Sequence, residues 1–225
     1  MEDEDQRIHQ VLKRLSEEYG GTKIALHYRN PLQLLIATIL AAQCTDERVN
    51  QVTERLFRKY PTAESFAKAD LAELEEDIRP TGFFRNKAKA IIGCCQKIVE
   101  SYGGSVPSRL EDLVQLPGVA RKTANILLGN AFAQPAIAVD THVFRVSHRL
   151  GLAFASDPDG VEGELSHIIP RPNWTEATHW MVWHGRRVCQ AKKPLCPQCV
   201  VYDLCPWEGK PALAGKTERV KKGKK

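Results

Sequence analysis

The amino-acid sequence predicts an all-α protein. Apolar residues recur at helical spacing almost throughout the chain, and glycine or proline closes most of these stretches. Strand signals are nearly absent, since the short apolar run at residues 137–139 is expected to be an extended connection. With 225 residues and 43% hydrophobic side chains, the chain can form one or two domains with a buried core.

The N-terminal half predicts five helices, each with its own stripe of apolar residues. They cover residues 8–19, 34–42, 49–57, 71–78 and 88–99. The second is apolar on all sides, which predicts a buried helix. Thr45 or Asp46 can cap the third, and Asp70 with Glu73 forms a cap-like pair for the fourth. Gly103 closes the fifth.

The C-terminal half predicts five more helices. One opens at Ser108, three cover about residues 121–130, 143–150 and 161–169, and one runs from Asn173 through Trp183. Ser108 with Glu111 is expected to form a capping box for the first of these. Asp140 can cap the third, and Asn173 with Glu176 the last.

The charge pattern permits a polyanionic partner without demanding one. The chain has 32 Lys+Arg against 27 Asp+Glu, a net charge of +5. Residues 210–225 hold six lysines, and we expect a disordered tail that adds sequence-independent attraction to DNA. The longest apolar run, residues 34–42, is too short to span a bilayer, so no membrane partner is expected.

Four of the seven cysteines are clustered with the spacing C-x6-C-x2-C-x5-C. They are Cys189, Cys196, Cys199 and Cys205. Because no secretion signal precedes them, they indicate a metal site and not a disulfide framework. Zn²⁺ and an iron–sulfur cluster are both compatible with four thiolates. The other three cysteines are expected to be small packing residues.

A tight Pro117-Gly118 turn leads directly into the helix that begins near Arg121. Helix starts carry unpaired N–H groups and a partial positive charge, which suit a phosphate. The same charge disfavours an ammonium ion, and the neutral amine of Lys122 would be a nucleophile. Asp140 follows 18 residues later and can supply a carboxylate. The alternatives are a phosphate-binding lysine in a non-catalytic hairpin, and a plain helix cap at Asp140 worth about 1 kcal/mol.

Three of these motifs together resemble one family. Residues 116–124 with Val139-Asp140-Thr141-His142 resemble the helix-hairpin-helix and aspartate signature of base-excision DNA glycosylases. The cysteine spacing is similar to the [4Fe–4S] loop of the endonuclease III branch. Residues 42–46 resemble the DNA-intercalating loop of that branch, which bears a glutamine. The resemblance covers residues 5 to 208 in one order, so we identify the chain as similar to the endonuclease III family.

The resemblance implies two helical lobes with a DNA-binding cleft between them. A six-helix barrel domain would span residues 24–134, with the helix-hairpin-helix at about 108–130. Residues 1–23 and 135–208 would form a discontinuous iron–sulfur domain. Residues 209–225 would be a basic, disordered tail.

The implied activity is that of a bifunctional DNA glycosylase/AP lyase in base excision repair, which removes oxidised pyrimidines from duplex DNA. Lys122 would form the Schiff base that leads to β-elimination 3′ to the abasic site, and Asp140 would assist. Family members without this lysine usually leave the strand uncut, so Lys122 favours the bifunctional class. The alternatives are a glycosylase of the same fold for alkylated or mismatched bases, and a non-enzymatic helix-hairpin-helix DNA-binding protein.

Further residues match the family's DNA contacts. Gln43 and Phe83 would fill the space left by a flipped base, the alternatives being a buried amide and a core aromatic. The residues expected at the DNA backbone are Gly118, Ala120, Arg121, Lys192 and Lys193. Ala120 stands where the family usually has glycine, and it keeps the N–H contact only if its φ is negative.

Supporting roles, cofactor and partner follow from the same resemblance. Asp46 would lie near the lesion pocket, with helix capping as the alternative, and His142 would orient Asp140 or bind backbone. The implied cofactor is a [4Fe–4S] cluster. The implied partner is double-stranded DNA with damaged bases or abasic sites, bound by a monomer in the cytoplasm, associated with the nucleoid.

Overall fold

The computed structural model describes residues 2–211, and every regular element in that range is a helix, which confirms the all-α prediction. Its α-helices, numbered α1 to α11 in chain order, are Glu2–Tyr19, Pro31–Leu40, Asp46–Lys59, Ala63–Ala67, Leu71–Ile78, Phe84–Tyr102, Leu110–Leu113, Arg121–Ala131, Thr141–Arg149, Pro158–Ile168 and Trp174–Arg187. Short 3-10 helices cover Arg79–Thr81, Arg171–Asn173, Cys196–Gln198 and Tyr202–Leu204. Residues 137–139 form an extended connection, as predicted.

Three predicted caps are confirmed. The Thr45 side chain accepts a hydrogen bond from the third residue of α3, and Asp70 does the same for α5. Asp140 accepts two such bonds at the start of α9. Helix α4 was not predicted, because five residues are too few for a recognisable apolar stripe; a capping box between Thr62 and Ser65 opens it.

Two predicted caps are wrong. No Ser108–Glu111 capping box forms: α7 follows Arg109 without a side-chain cap, and the Glu111 carboxylate pairs with Arg109 instead. Asn173 precedes α11, but its side chain makes no capping bond. The 3-10 helix over Arg171–Asn173 leaves Asn173 with φ −95° and ψ 0°, whereas a capping side chain needs an extended backbone.

A first hydrophobic core lies between α2, α3, α5, α6 and α8. Its buried side chains range from Leu26 to Ala136. Helix α2 contributes every residue from Leu34 to Leu40, which confirms the prediction of a helix buried on all sides. Burying a large aliphatic side chain stabilises the fold by about 1.5–3 kcal/mol, so α2 anchors this part of the chain.

A second hydrophobic core joins α1 to α9, α10 and α11. Val11, Leu15 and Tyr19 of α1 are buried in it. The Arg7 guanidinium donates to the carbonyl oxygens of Leu150, Gly151 and Leu204, so the first helix is also fixed by polar contacts to the C-terminal part. The domain boundaries drawn from the sequence stay a prediction.

Two sequence features need a separate statement. Within residues 2–211, no helix is both long and apolar enough to cross a membrane. Residues 212–225 of the predicted basic tail lie outside the described residues.

Candidate active site

The hairpin turn between α7 and α8 has a backbone conformation that depends on glycine at position 118. Gly118 has φ +78°, and a Cβ at this position would lie 3.0 Å from the Cβ of Ala90. Both the dihedral angle and the close approach favour glycine. Ala120 has φ −84° and ψ 168°, so it satisfies the condition under which alanine keeps its N–H contact. Helix α8 starts without a side-chain cap, which leaves its first N–H groups available to an anion.

Lys122 lies in the first turn of α8 and is exposed to solvent. It lines a cavity of about 780 Å³, and Asp140 lines the same cavity. The uncapped helix start, an amine and a carboxylate therefore share one concave site. Such convergence of a few polar groups in a large cavity is typical of a catalytic site.

Asp140 is both the cap of α9 and part of the cavity wall. Its Oδ1 accepts from the backbone N–H groups of His142 and Val143, both at 2.8 Å. Its other carboxylate oxygen, Oδ2, has no hydrogen-bond partner among residues 2–211. The capping bonds fix the side chain while Oδ2 remains free to act in the cavity.

His142 contacts Asp140 through its backbone N–H and not through its ring. The Arg145 guanidinium donates to Nδ1 of the ring at 3.2 Å. Because arginine only donates, Nδ1 is an acceptor and the ring proton lies on Nε2. Burial lowers the pKa of His142, and the charges of Arg145 and Arg186 act in the same direction, while Asp140 opposes them. The imidazole is therefore held neutral beside the cavity.

Gln43 and Phe83 stand at the rim of the same cavity, on two different loops. Gln43 is exposed, which rules out the buried amide. Phe83 has 64% of its surface exposed, which rules out the core aromatic; the neighbouring Phe84 packs on the first core instead. Both residues have positive φ, 53° for Gln43 and 48° for Phe83. Non-glycine residues adopt this conformation at a cost of about 1–3 kcal/mol each and cluster at functional sites.

Asp46 is not the cap of α3, because Thr45 takes that position. Its carboxylate pairs with the Arg186 guanidinium at 2.7 Å, and both residues line the cavity. Asp46 belongs to α3 and Arg186 to α11, so the ion pair crosses the cavity from one helical core to the other. Sequence analysis missed Arg186, whose only local signal is a run of basic residues after His184.

Arg121 is the cation that follows the hairpin turn. Its guanidinium forms a bidentate pair with the Glu162 carboxylate, with distances of 2.9 and 2.8 Å. The amide of Asn125 also donates to Glu162. Arg121 on α8 is thereby tied to α10, and it does not line the large cavity. Its contact with DNA stays a prediction.

The cavity brings together seven of the eleven predicted site residues that lie outside the cysteine cluster. Its lining includes Gln43, Asp46, Phe83, Gly118, Lys122, Asp140 and His142. Ala120, Arg121, Lys192 and Lys193 are not among the lining residues. The seven lining residues surround the cavity that holds Lys122 and Asp140. The other four residues lie outside this cavity.

The four clustered cysteines surround a second, small cavity of about 20 Å³. All four are free thiols. Burial raises the pKa of Cys199 to about 11 and also raises that of Cys196. Buried thiols close to one another are a donor set that a cation with several positive charges would convert to thiolates.

Within residues 2–211, no group of three or more Cys, His, Asp or Glu side chains is arranged to hold a single metal ion. A four-iron cluster has a different requirement, since each cysteine binds its own iron. Burial lowers the pKa of His184 to about 4, so its imidazole is neutral at pH 7. The His184 Nε2 lies 3.7 Å from Cys199 Sγ, and Tyr19 Oη contacts the other ring nitrogen at 3.1 Å. These contacts hold the ring against the cysteine cavity.

Lys192 and Lys193 lie exposed in the loop between Cys189 and Cys196. The Arg149 guanidinium donates to the carbonyl oxygens of Gln190 and Ala191 at 2.8 and 2.9 Å. The backbone just before the two lysines is therefore braced by the last residue of α9. Sequence analysis did not identify Arg149.

Comparison with known proteins shows the family to which the chain is similar. Residues 36–171 match the HhH-GPD superfamily of base excision DNA repair proteins. The chain is 53% identical over 207 residues to endonuclease III of Synechocystis sp., covering 92% of this chain and 94% of that protein.

Two solved structures are similar over 90% of this chain and 95% of theirs, each with 45% sequence identity. One is a non-covalent endonuclease III–DNA complex, with a TM-score of 0.86. The other is a trapped endonuclease III–DNA covalent intermediate, with a TM-score of 0.87.

Proposed function

Because this chain belongs to the endonuclease III family within the HhH-GPD superfamily of base excision DNA repair proteins, we propose that it removes oxidised pyrimidines from duplex DNA through a Schiff base at Lys122. It is a DNA glycosylase and AP lyase that binds DNA. The proposal adds the lesion class, the nucleophile and the roles of the surrounding residues. The observation that carries it is that Lys122, on an uncapped helix start, shares one cavity with Asp140.

Lys122 and Asp140 divide the chemistry between them. The neutral amine of Lys122 attacks C1′ of the damaged nucleotide, and the C1′–N bond breaks as the base leaves. Asp140 stabilises the positive charge that develops on the sugar and accepts a proton from the attacking amine. Its free Oδ2 oxygen supports this role, since the capping bonds occupy only Oδ1.

Strand cleavage follows from the Schiff base. The sugar ring opens as the C1′–O4′ bond breaks, O4′ takes up a proton, and the C1′=N bond of the Schiff base forms. The iminium makes a C2′ proton acidic, and its loss expels the 3′ phosphate by breaking the C3′–O bond. Water then hydrolyses the iminium and returns Lys122 as an amine. A base-excision enzyme without a lysine at this position would stop at the abasic site, so Lys122 supports the bifunctional activity.

Gln43 and Phe83 act as wedges that fill the space left by the extruded nucleotide. Extrusion costs a few kcal/mol, and filling the gap in the base stack offsets part of that cost. Their exposure at the rim of the cavity and their positive φ angles support this role. Asp46, paired with Arg186 across the cavity, borders the space that receives the base.

The DNA backbone is bound at two places. The N–H groups after the Gly118 turn, including that of Ala120, hold a phosphate beside Lys122 at the start of α8. Arg121 lies next to this site, with its guanidinium paired to Glu162. Lys192 and Lys193 contact a second stretch of backbone from the loop braced by Arg149.

The four clustered cysteines would hold a [4Fe–4S] cluster. Their common cavity and their chemistry as a set of four thiols fit this group. When bound, the cluster supplies cross-links that fix a segment with little core of its own. His184 orients Cys199, and Arg149 holds the loop before Cys196.

We also propose an oligomeric state, domain boundaries and a cellular location for the enzyme. The enzyme acts as a monomer, because one chain contributes every residue named for the site. Residues 24–134 form the barrel domain, and residues 1–23 with 135–208 form the cluster domain. Its substrate places it in the cytoplasm, in association with the nucleoid.

Borohydride trapping tests the proposal. The protein is mixed with a duplex that carries one thymine glycol, reduced, and assayed for a covalent protein–DNA adduct. We expect an adduct with the wild type and with Lys97→Ala, an exposed lysine on α6, but none with Lys122→Ala. An adduct with Lys122→Ala would refute the assignment of the nucleophile.

Two further outcomes would change the activity assigned to the chain. An alkali-labile site without an adduct would mean base removal without a Schiff base. No reaction with thymine glycol, but reaction with an alkylated or mismatched base, would move the substrate to another lesion class.

A further inference from the structure

A buried lysine connects the two loops that carry the wedge residues. Lys87 lies in α6 with only 5% of its surface exposed. Its Nζ donates one hydrogen bond to the carbonyl oxygen of Leu40 and another to that of Thr81, both at 2.8 Å. Lysine is rarely buried unless it is paired, so the two carbonyls must explain its position.

The two carbonyls belong to the two wedge loops. Leu40 is the last residue of α2, and Gln43 follows three residues later. Thr81 ends the 3-10 helix Arg79–Thr81, and Phe83 follows two residues later. One ammonium group is therefore bonded to the chain just before Gln43 and just before Phe83, two of the three non-glycine residues with positive φ in the described part of the chain.

The two contacts of the Lys87 ammonium group are buried and have no competing carboxylate partner in the described part of the chain. Burial lowers the pKa of Lys87, and its main electrostatic neighbour is the thiol of Cys44, which acts in the opposite direction. Removing the amine would leave two buried carbonyl oxygens without a donor, and each loop would be free to relax separately.

We propose that Lys87 is a positioning residue that couples the two wedge loops, so that Gln43 and Phe83 enter the DNA stack at a fixed separation. The inference rests on the wedge roles proposed above. Lys87 lines the cavity but touches no reacting atom; it acts through the backbone that it holds. The coupling keeps both strained loops ready for DNA before the nucleotide is extruded.

The proposal separates two reactions of the same enzyme. Base removal from a duplex requires extrusion, and so it depends on both wedges. β-Elimination at a preformed abasic site in a single strand has no stack to fill, and it depends on Lys122 and Asp140 but not on the wedges. Loss of the Lys87 contacts should therefore slow the first reaction and spare the second.

The experiment compares Lys87→Met with Lys97→Met, which removes an exposed charge from the same helix. Single-turnover rates are measured for thymine glycol removal from a duplex and for elimination at a single-stranded abasic site. We expect Lys87→Met to lower the first rate about tenfold, on the scale of one stacking contact, and to leave the second within about twofold. Lys97→Met should keep both rates.

A mutant cycle shows whether Lys87 acts through the wedges. Adding Lys87→Met to the double variant Gln43→Ala/Phe83→Ala should cause no further loss of base removal, because the loops no longer carry their wedges. A full additional loss, or an equal loss of both reactions in Lys87→Met alone, would overturn the coupling. If Lys87→Met does not fold, Lys87→Gln is compared in the same way, and failure of both variants to fold would overturn the inference.

The cycle also distinguishes this inference from the function on which it rests. If the double wedge variant removes thymine glycol at the wild-type rate, the wedge roles fail and the coupling fails with them. If the double variant is slow while Lys87→Met is not, the wedge roles stand and only the coupling is wrong.

Discussion

The helix cap observed at Asp140 and the catalytic role proposed for its carboxylate can be separated by two substitutions at one position. Asp140→Ala removes both capping bonds of 2.8 Å to α9, whereas Asp140→Asn keeps an oxygen that can accept them. Asparagine and aspartate are about equally good caps, so the asparagine variant loses mainly the charge. If the carboxylate acts in catalysis, both variants should be slow but only the alanine variant should be much less stable.

The structure sets the expected size of each effect. Loss of a side-chain cap costs about 1–2 kcal/mol, and about 1 kcal/mol shifts the midpoint of thermal unfolding by roughly 2–4 °C in a chain of this length. Asp140→Ala should therefore melt roughly 2–8 °C lower. Asp140→Asn should lose less than about 1 kcal/mol, since only the favourable charge at the helix start is gone. Base removal should fall about 100-fold or more in both, on the scale of a lost proton acceptor.

The assay pairs thermal unfolding with single-turnover base removal from a thymine glycol duplex. Asp70 supplies the matched control, because it caps α5 through one bond to the Glu73 N–H and does not line the cavity. Asp70→Ala should lower the unfolding midpoint without slowing base removal. If Asp140→Asn cleaves at the wild-type rate while Asp140→Ala is slow, Asp140 is a cap only, and the catalytic role is refuted.

Three further predictions concern DNA contact, the cluster and pH. Replacing Lys192 and Lys193 together by alanine should reduce the slope of log K against log salt by about 2, measured by DNA binding at several salt concentrations; an unchanged slope would mean that this loop does not touch phosphate. Cys199→Ser should lower the iron bound per chain in a colorimetric assay, whereas Cys44→Ser should not; equal iron in both would remove Cys199 from the ligand set. Burial lowers the pKa of His179, so the unfolded chain takes up this proton first as the pH falls, and the free energy of unfolding should decrease below about pH 6.5. His179→Gln should show a shallower decrease in denaturant titrations, and identical pH profiles would contradict this reasoning.

Local signals made most of the helices and three of their caps predictable. A cap is decided by a few neighbouring residues, so Thr45, Asp70 and Asp140 could be identified from the sequence. The hairpin turn is decided equally locally, since residue 118 adopts a positive φ and glycine tolerates this conformation. The local rule failed at Ser108, because the helix follows Arg109 and so begins one residue later, and at Asn173, whose backbone is not extended.

Contacts between distant segments were not predictable. Arg186 pairs with Asp46 from another helix, and Lys87 reaches Leu40 from a different element, and no periodic pattern marks either residue. The choice between adjacent aromatics also needed the structure. Because α6 begins at Phe84, that ring packs on the first core, while Phe83 with its positive φ is left exposed.

In the hairpin, the Arg121 side chain has a structural contact, whereas backbone N–H groups are left for the proposed binding of phosphate. Its two hydrogen bonds to Glu162 use the geometry with which an arginine would otherwise grip a phosphate, and they join α8 to α10. The phosphate contact proposed for this hairpin is therefore assigned to the backbone N–H groups and the helix start, which bind an anion without a mobile side chain. In the proposed function this contact fixes the DNA backbone relative to Lys122, the residue that follows Arg121. The ion pair between Arg121 and Glu162 would then keep the helix of the proposed nucleophile aligned with α10.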